Sequence, residues 1–163
     1  MQAHKITAAR VGIFGIGLAA YWPQFPGLKE RLEGYQAEVE ARCASFGARL
    51  VSAGLVDTPE RARRAGEQFA RERVDLLLCY VGTYATSSQV LPVIQQARAP
   101  VVVLNLQPVP ALDYENTDTG EWLANCSACC VPEISNALAR SSIPFHVVSG
   151  VLFEDDAAWR EIA

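Results

Sequence analysis

Asp75-Leu76-Leu77-Leu78-Cys79-Tyr80-Val81 and Val101-Val102-Val103-Leu104 decide the fold. Both runs are apolar nearly throughout rather than at alternate residues, which suits strands covered on both faces. They belong to strand-like segments at Val74–Tyr80 and Val101–Leu106, and similar segments occur at Arg10–Ile16, Ala48–Ala53 and Phe145–Ser149.

Between these segments the period becomes helical. Leu28, Leu32, Tyr35, Val39, Cys43 and Phe46 recur at three- and four-residue steps, and Gly47 offers a stop. Asp57-Thr58-Pro59-Glu60 supplies a cap, an early proline and an early acid, so a second helix should run from there to about Arg73. A third fits Ser87–Ala97, with Pro92 marking a later start or a kink. Residues 120–141 read as two helical pieces parted at Val131-Pro132, and Asp155–Ala163 begins another helix. Parallel strands need long return connections, so this alternation predicts an α/β fold: a doubly wound, flavodoxin- or Rossmann-like, five-stranded parallel sheet with helices on both faces. The expected strand order is 2-1-3-4-5.

Composition narrows the function. The 163 residues are 50% hydrophobic and carry a formal net charge of -4, which argues for one globular domain and against disorder. With 14 basic against 18 acidic residues, no nucleic-acid partner is expected, because a phosphate backbone needs excess positive charge. No apolar run reaches the ~18 residues of a membrane span, so no membrane partner is expected either. Five cysteines, an odd number in a chain large enough to need no staples, point to a cytoplasmic setting. Lys5 and Arg10 before an apolar stretch imitate a secretory signal, but three glycines there favour a first strand.

Gly15-Ile16-Gly17-Leu18-Ala19-Ala20 fits the G-x-G-x-x-A fingerprint of dinucleotide sites. Its context fails, since Tyr21-Trp22-Pro23-Gln24-Phe25-Pro26-Gly27 follows at once and Ala48–Leu55 lacks the acid that would hold a ribose. The aromatic loop itself lies past the carboxyl end of strand one, the edge where open α/β sheets bind ligands. Trp22 and Phe25 equally suit covering that edge or stacking on a ligand, and Gln24 can donate and accept hydrogen bonds. Gly82-Thr83-Tyr84-Ala85-Thr86 and Asn105-Leu106-Gln107 fall on the same edge, which reads as neutral and hydroxyl-rich. Capping is the plainer role of Thr86 and Ser87. The irregular stretch Gln107–Thr119 has the length of a functional loop.

Cys126-Ser127-Ala128-Cys129-Cys130 holds a C-x-x-C, but neither His4 nor His146 is near it in sequence to complete a zinc set. A thioredoxin-like pair belongs before the first helix of its fold, so these cysteines are expected to pack as buried small residues. His146 should sit in a strand, and His4 in a tail. No Ser-His-Asp or Cys-His order is apparent, so no catalytic residue and no metal ligand is assigned.

A series of segments then resembles one family. Gly17-Leu18-Ala19-Ala20-Tyr21-Trp22-Pro23-Gln24-Phe25-Pro26-Gly27-Leu28, Val74–Tyr80 with Thr83-Tyr84-Ala85, Pro100–Gln107, Asn125-Cys126-Ser127-Ala128 and Pro144–Gly150 resemble, in order, the N-terminal region of the L-arabinose isomerase family, within the L-fucose/L-arabinose isomerase superfamily. The resemblance implies a three-domain, manganese-dependent aldose–ketose isomerase, assembled as trimers or hexamers. Its metal ligands, two Glu and two His, lie outside the N-terminal domain, so no cofactor is expected in this chain. The N-terminal domain lends sugar contacts to a neighbour, with Gln24 and Gln107 the matching positions, and the His-Leu-Tyr of the family loop near Gln24 is absent here. The expected substrate-binding set is thus Trp22, Gln24, Phe25, Tyr84 and Gln107. Residues 1–150 would be the isomerase's N-terminal domain and 151–163 the start of a connecting helix. The alternative is a stand-alone sugar-binding or regulatory module.

Overall fold

The computed structural model describes residues 8–163, so His4 lies outside the described residues. Five strands form one parallel sheet in the order β2-β1-β3-β4-β5: β1 (Arg10–Ile16), β2 (Arg49–Val56), β3 (Leu76–Val81), β4 (Val101–Gln107) and β5 (Phe145–Val151). The predicted class and order hold. Helices α1 (Leu28–Ser45) and α6 (Asp156–Ile162) cover one face, while α2 (Pro59–Glu72), α3 (Leu91–Ala97) and α5 (Val131–Arg140) cover the other. The short α4 (Thr119–Ala124) lies over the carboxyl edge, where Leu123 and Ala124 join Leu28, Leu32 and Leu55. β3, the central strand, carries one of the two unbroken apolar runs and is buried along nearly all its length, because neither of its faces meets water.

Local chemistry explains the boundaries. Thr58 caps α2 by accepting from Arg61 N at 3.2 Å, with Pro59 in the first turn. Gly27 at φ 83° precedes α1 and Gly47 at φ 86° follows it, conformations that L side chains rarely adopt. β2 continues past the expected end at Ala53 to Val56. The pairing jumps from Ile13↔Ser52 to Gly15↔Leu55, and Gly54 at φ 66° absorbs the extra residue as a bulge. Residues Ser87–Gln89 form a 3-10 turn, and α3 starts only at Leu91 with Pro92 in its first turn, so the proline marks a start and not a kink. The break between α4 and α5 occupies residues 125–130, earlier and wider than the Val131-Pro132 step, because Pro132 begins α5 rather than interrupting it.

α6 folds back onto the sheet. Asp155 Oδ1 caps it by accepting from Ala157 N and Ala158 N at 3.0 and 3.1 Å, and Trp159, 6% exposed, donates from Nε1 to Leu152 O at 2.9 Å. The Arg42 guanidinium lies 5.0 Å from the Trp159 ring centroid, tying α6 to α1. Among the described residues, no helix is long and apolar enough to cross a membrane.

Candidate functional site

The carboxyl edge of the sheet is built by the loops after β1, β3 and β4. After β1 the chain keeps bonding to the end of β2, with Gly17 N donating to Val56 O at 3.0 Å and Ala19 N to Asp57 O at 3.1 Å. Trp22 then turns inward: its Nε1 donates to Asp57 Oδ2 at 2.7 Å, and its ring joins the apolar cluster of Leu28, Leu32 and Leu55. The two glycines of the dinucleotide-like fingerprint are occupied by protein. A Cβ on Gly15 would collide with the amide of Gln36, and one on Gly17 would meet the Trp22 ring at 3.0 Å. The space that a pyrophosphate would need beside a helix N-terminus is filled by Trp22 and Gln36.

Between this loop and the one after β4 lies an open cleft of about 870 Å³, floored by Leu28 and Arg31 and walled by Phe25, Leu112, Asp113 and Glu121. Arg31 grips Glu121 across it with both terminal nitrogens, Nη2 reaching Oε1 at 2.9 Å. Asn125 Nδ2 donates to the same Oε1 at 3.0 Å, and Arg31 Nε donates to Tyr35 OH. The Arg31 hydrogen bonds hold the Glu121 carboxyl below its ordinary value, and Glu121 in turn holds the guanidinium above its own. Asp113 closes its loop by accepting from Asn116 Nδ2 at 2.7 Å and Glu115 N at 3.2 Å, and the Asn116 contact holds its carboxyl low. Asp118 caps α4, accepting from Glu121 N at 2.7 Å.

The five expected ligand residues separate into two groups. Gln24 and Phe25 line the cleft; Gln24 is exposed and donates to Ala20 O at 2.6 Å. Trp22, Tyr84 and Gln107 do not line it. Tyr84 donates to Glu133 Oε2 at 3.1 Å, which raises its phenol, and Gln107 donates to Val109 O at 3.1 Å. Thr86 caps the 3-10 turn, as expected. Arg31, Asp113, Asp118 and Glu121 were not singled out from sequence. The spacing Asp118-Thr119-Gly120-Glu121 is that of a helix start and marks two of them, whereas Arg31 looks like any solvated helix charge until Glu121, 90 residues away, is brought to it. Among the described residues, no group of three or more His, Cys, Asp or Glu is placed to hold a metal.

The cysteine segment needs correction. Cys126 and Cys130 are buried as expected, but Cys129 is exposed and disulfide-bonded to Cys126. Cys130 Sγ donates to Ala85 O at 2.8 Å, and Thr83 Oγ1 donates to Leu123 O at 2.6 Å, so the segment is pinned to the loop after β3. His146, the one histidine among the described residues, stands second in β5 at the amino end of the sheet, its Nε2 2.6 Å from Glu161 Oε1.

No protein-family model and no curated protein matches this chain. Among solved structures it is similar to a GDSL-like lipase from Bacteroides thetaiotaomicron, with 13% identity and a TM-score of 0.49, over 94% of this chain and 82% of that one. It is also similar to a protein assigned as an acylhydrolase from Bacteroides fragilis, with 11% identity and a TM-score of 0.45, over 89% and 72%. Neither is a sugar isomerase. The resemblance to the L-arabinose isomerase family is withdrawn, since no model and no curated member of that family matches the chain. With it go the sugar-isomerase activity, the manganese dependence and the roles lent to Gln24 and Gln107. The segments that carried the resemblance are the strands and edge loops of a parallel α/β sheet, which unrelated families of that architecture share. At these values the hydrolase activities stay with those two proteins.

Proposed function

We propose that the chain binds a small molecule bearing amino or hydroxyl groups in the cleft between the β1–α1 and β4–α4 loops. The observation that carries this reading is the charge of the lining. Arg31, the only cation lining the cleft among the described residues, is paired with Glu121 through both terminal nitrogens, so its charge is already balanced before any anion arrives. Asp113 and Asp118 keep carboxylate lone pairs beyond those their own turns use, and Gln24 and Asn116 add amides. Such a lining suits donor groups on the ligand, and the Phe25 ring supplies an apolar wall. Three free cysteines, Cys43, Cys79 and Cys130, all buried, support placing the protein in the cytoplasm as part of the proposal.

Thermal unfolding of the full chain with a panel of amines and amino alcohols, set against inorganic phosphate and dicarboxylates, tests this reading. A rise in Tm with members of the first group, weakened in Asp113→Asn, is the expected result. A rise with the anions alone, or with nothing in the panel, rejects it.

A further inference from the structure

We infer that the Cys126–Cys129 bridge is a reversible thiol–disulfide exchange site, entered at Cys129 by an external dithiol or disulfide. The bridge spans only three residues of sequence separation, so it closes a very short loop and constrains the unfolded chain little. The fold has no evident need of it as a staple, because two apolar clusters fill both faces of the sheet. Its two cysteines are unequally exposed. Cys126 is 6% exposed, whereas Cys129 belongs to an exposed residue pair with Ala128 at the surface. An incoming thiolate therefore approaches the bridge from the Cys129 side.

The surroundings provide for each charge the exchange creates. Cys130 is the N-cap residue of α5, a ten-residue helix, so Cys129 stands just ahead of the helix's positive end, where a thiolate is favoured. Ser127 lies between the bridged cysteines, fully buried, and its Oγ has no hydrogen-bond partner. A buried hydroxyl without a partner, between the two bridged cysteines in sequence, keeps a proton free to donate within the segment. The third cysteine stays out of the exchange: Cys130 is fully buried, donates to Ala85 O, and burial pushes its thiol up to about 11.

The steps balance without any other reagent. A dithiol's thiolate attacks Cys129 Sγ, a mixed disulfide forms, and the electron pair of the broken bond leaves on Cys126 Sγ, which takes up a proton. The dithiol's second thiolate then attacks its own sulfur in the mixed disulfide and expels Cys129 as thiolate. The protein bridge has gained two electrons and the dithiol has become a cyclic disulfide. In the reverse direction Cys129 attacks an external disulfide and Cys126 resolves the adduct.

The test keeps the full chain native. The oxidised protein is equilibrated in graded ratios of reduced to oxidised dithiothreitol, quenched with acid, and alkylated in denaturant for mass spectrometry, while circular dichroism follows the fold. The expected result is a joint gain of two alkylated thiols, mapped to Cys126 and Cys129, above the three free ones, with the fold retained and the bridge restored by oxidised dithiothreitol. In Cys126→Ser, oxidised glutathione should leave a stable adduct on Cys129; in Cys129→Ser, Cys126 should remain unmodified until denaturant is added. A bridge that opens only with unfolding, one that never forms in oxidised dithiothreitol, or an adduct that collects on Cys126 in the native Cys129→Ser protein would overturn the inference.

Discussion

Trp22 and Asp57 join the loops after β1 and β2 through one hydrogen bond, indole Nε1 to carboxylate Oδ2 at 2.7 Å. Asp57 is 4% exposed, and its other oxygen faces only Arg61 Nε at 3.4 Å. A buried carboxylate that loses its donor keeps its desolvation penalty. Trp22→Phe should therefore cost roughly 1.5–3 kcal/mol by urea unfolding, in the range of hydrogen bonds to charged groups. In a double-mutant cycle with Asp57→Ala, the double variant should lose less than the sum of the two single losses. Full additivity would show that the bond contributes nothing.

Gly66 is where α2 and α3 touch. A Cβ there would sit 2.9 Å from Pro92 O and 3.0 Å from Val93 O, and backbone atoms cannot rotate away. Gly66→Ala, although it favours helix formation, should destabilise by about 1–3 kcal/mol, as overpacking does. A stabilised variant would mean the two helices part at no cost.

Glu121 has its carboxyl held low by Arg31, which fixes the sign of a pH effect. A depressed folded-state value contributes stability fully above the unfolded carboxylate range, and that contribution fades as pH falls through the folded value. The pair is more than a third exposed on both sides, so its worth is at most about 1 kcal/mol. Arg31→Gln should lower Tm near neutral pH, and the gap to the parent should close in acid. A gap that widens in acid would contradict the assignment.

Trp159 fills the junction of α6, β5 and α1. Trp159→Ala removes a buried ring, its bond to Leu152 O and its stacking on Arg42, and should cost about 3–5 kcal/mol. Trp159→Phe should recover most of the packing but not the hydrogen bond. Native-state hydrogen exchange should then place the fastest-opening amides of the Ala variant in α6 and the adjoining turn of α1.

The parts of the chain legible in advance were those set by local chemistry. Thr58-Pro59 announced α2 and Gly47 ended α1, because caps and left-handed glycines depend on a few consecutive residues. The bulge at Gly54 was hidden, since an unpaired residue is defined only by the strand beside it. The same limit produced the isomerase reading. Segments such as Pro100–Gln107 and Pro144–Gly150 match in order wherever apolar strands end in polar loops, so the likeness reports sheet grammar and not chemistry.

The sequence by itself determined the class, the strand order and the two-faced burial of the sheet, because periodicity and connection length constrain these directly. Only the tertiary structure decided the site. It turned Trp22 away from the edge onto Asp57, filled the fingerprint glycines with Gln36 and Trp22, committed Arg31 to Glu121, and brought a buried Cys126 onto an exposed Cys129. Most of these relationships join residues far apart in the chain, and none follows from spacing alone. Their energies exist only once packing has excluded water and fixed the partners' geometry.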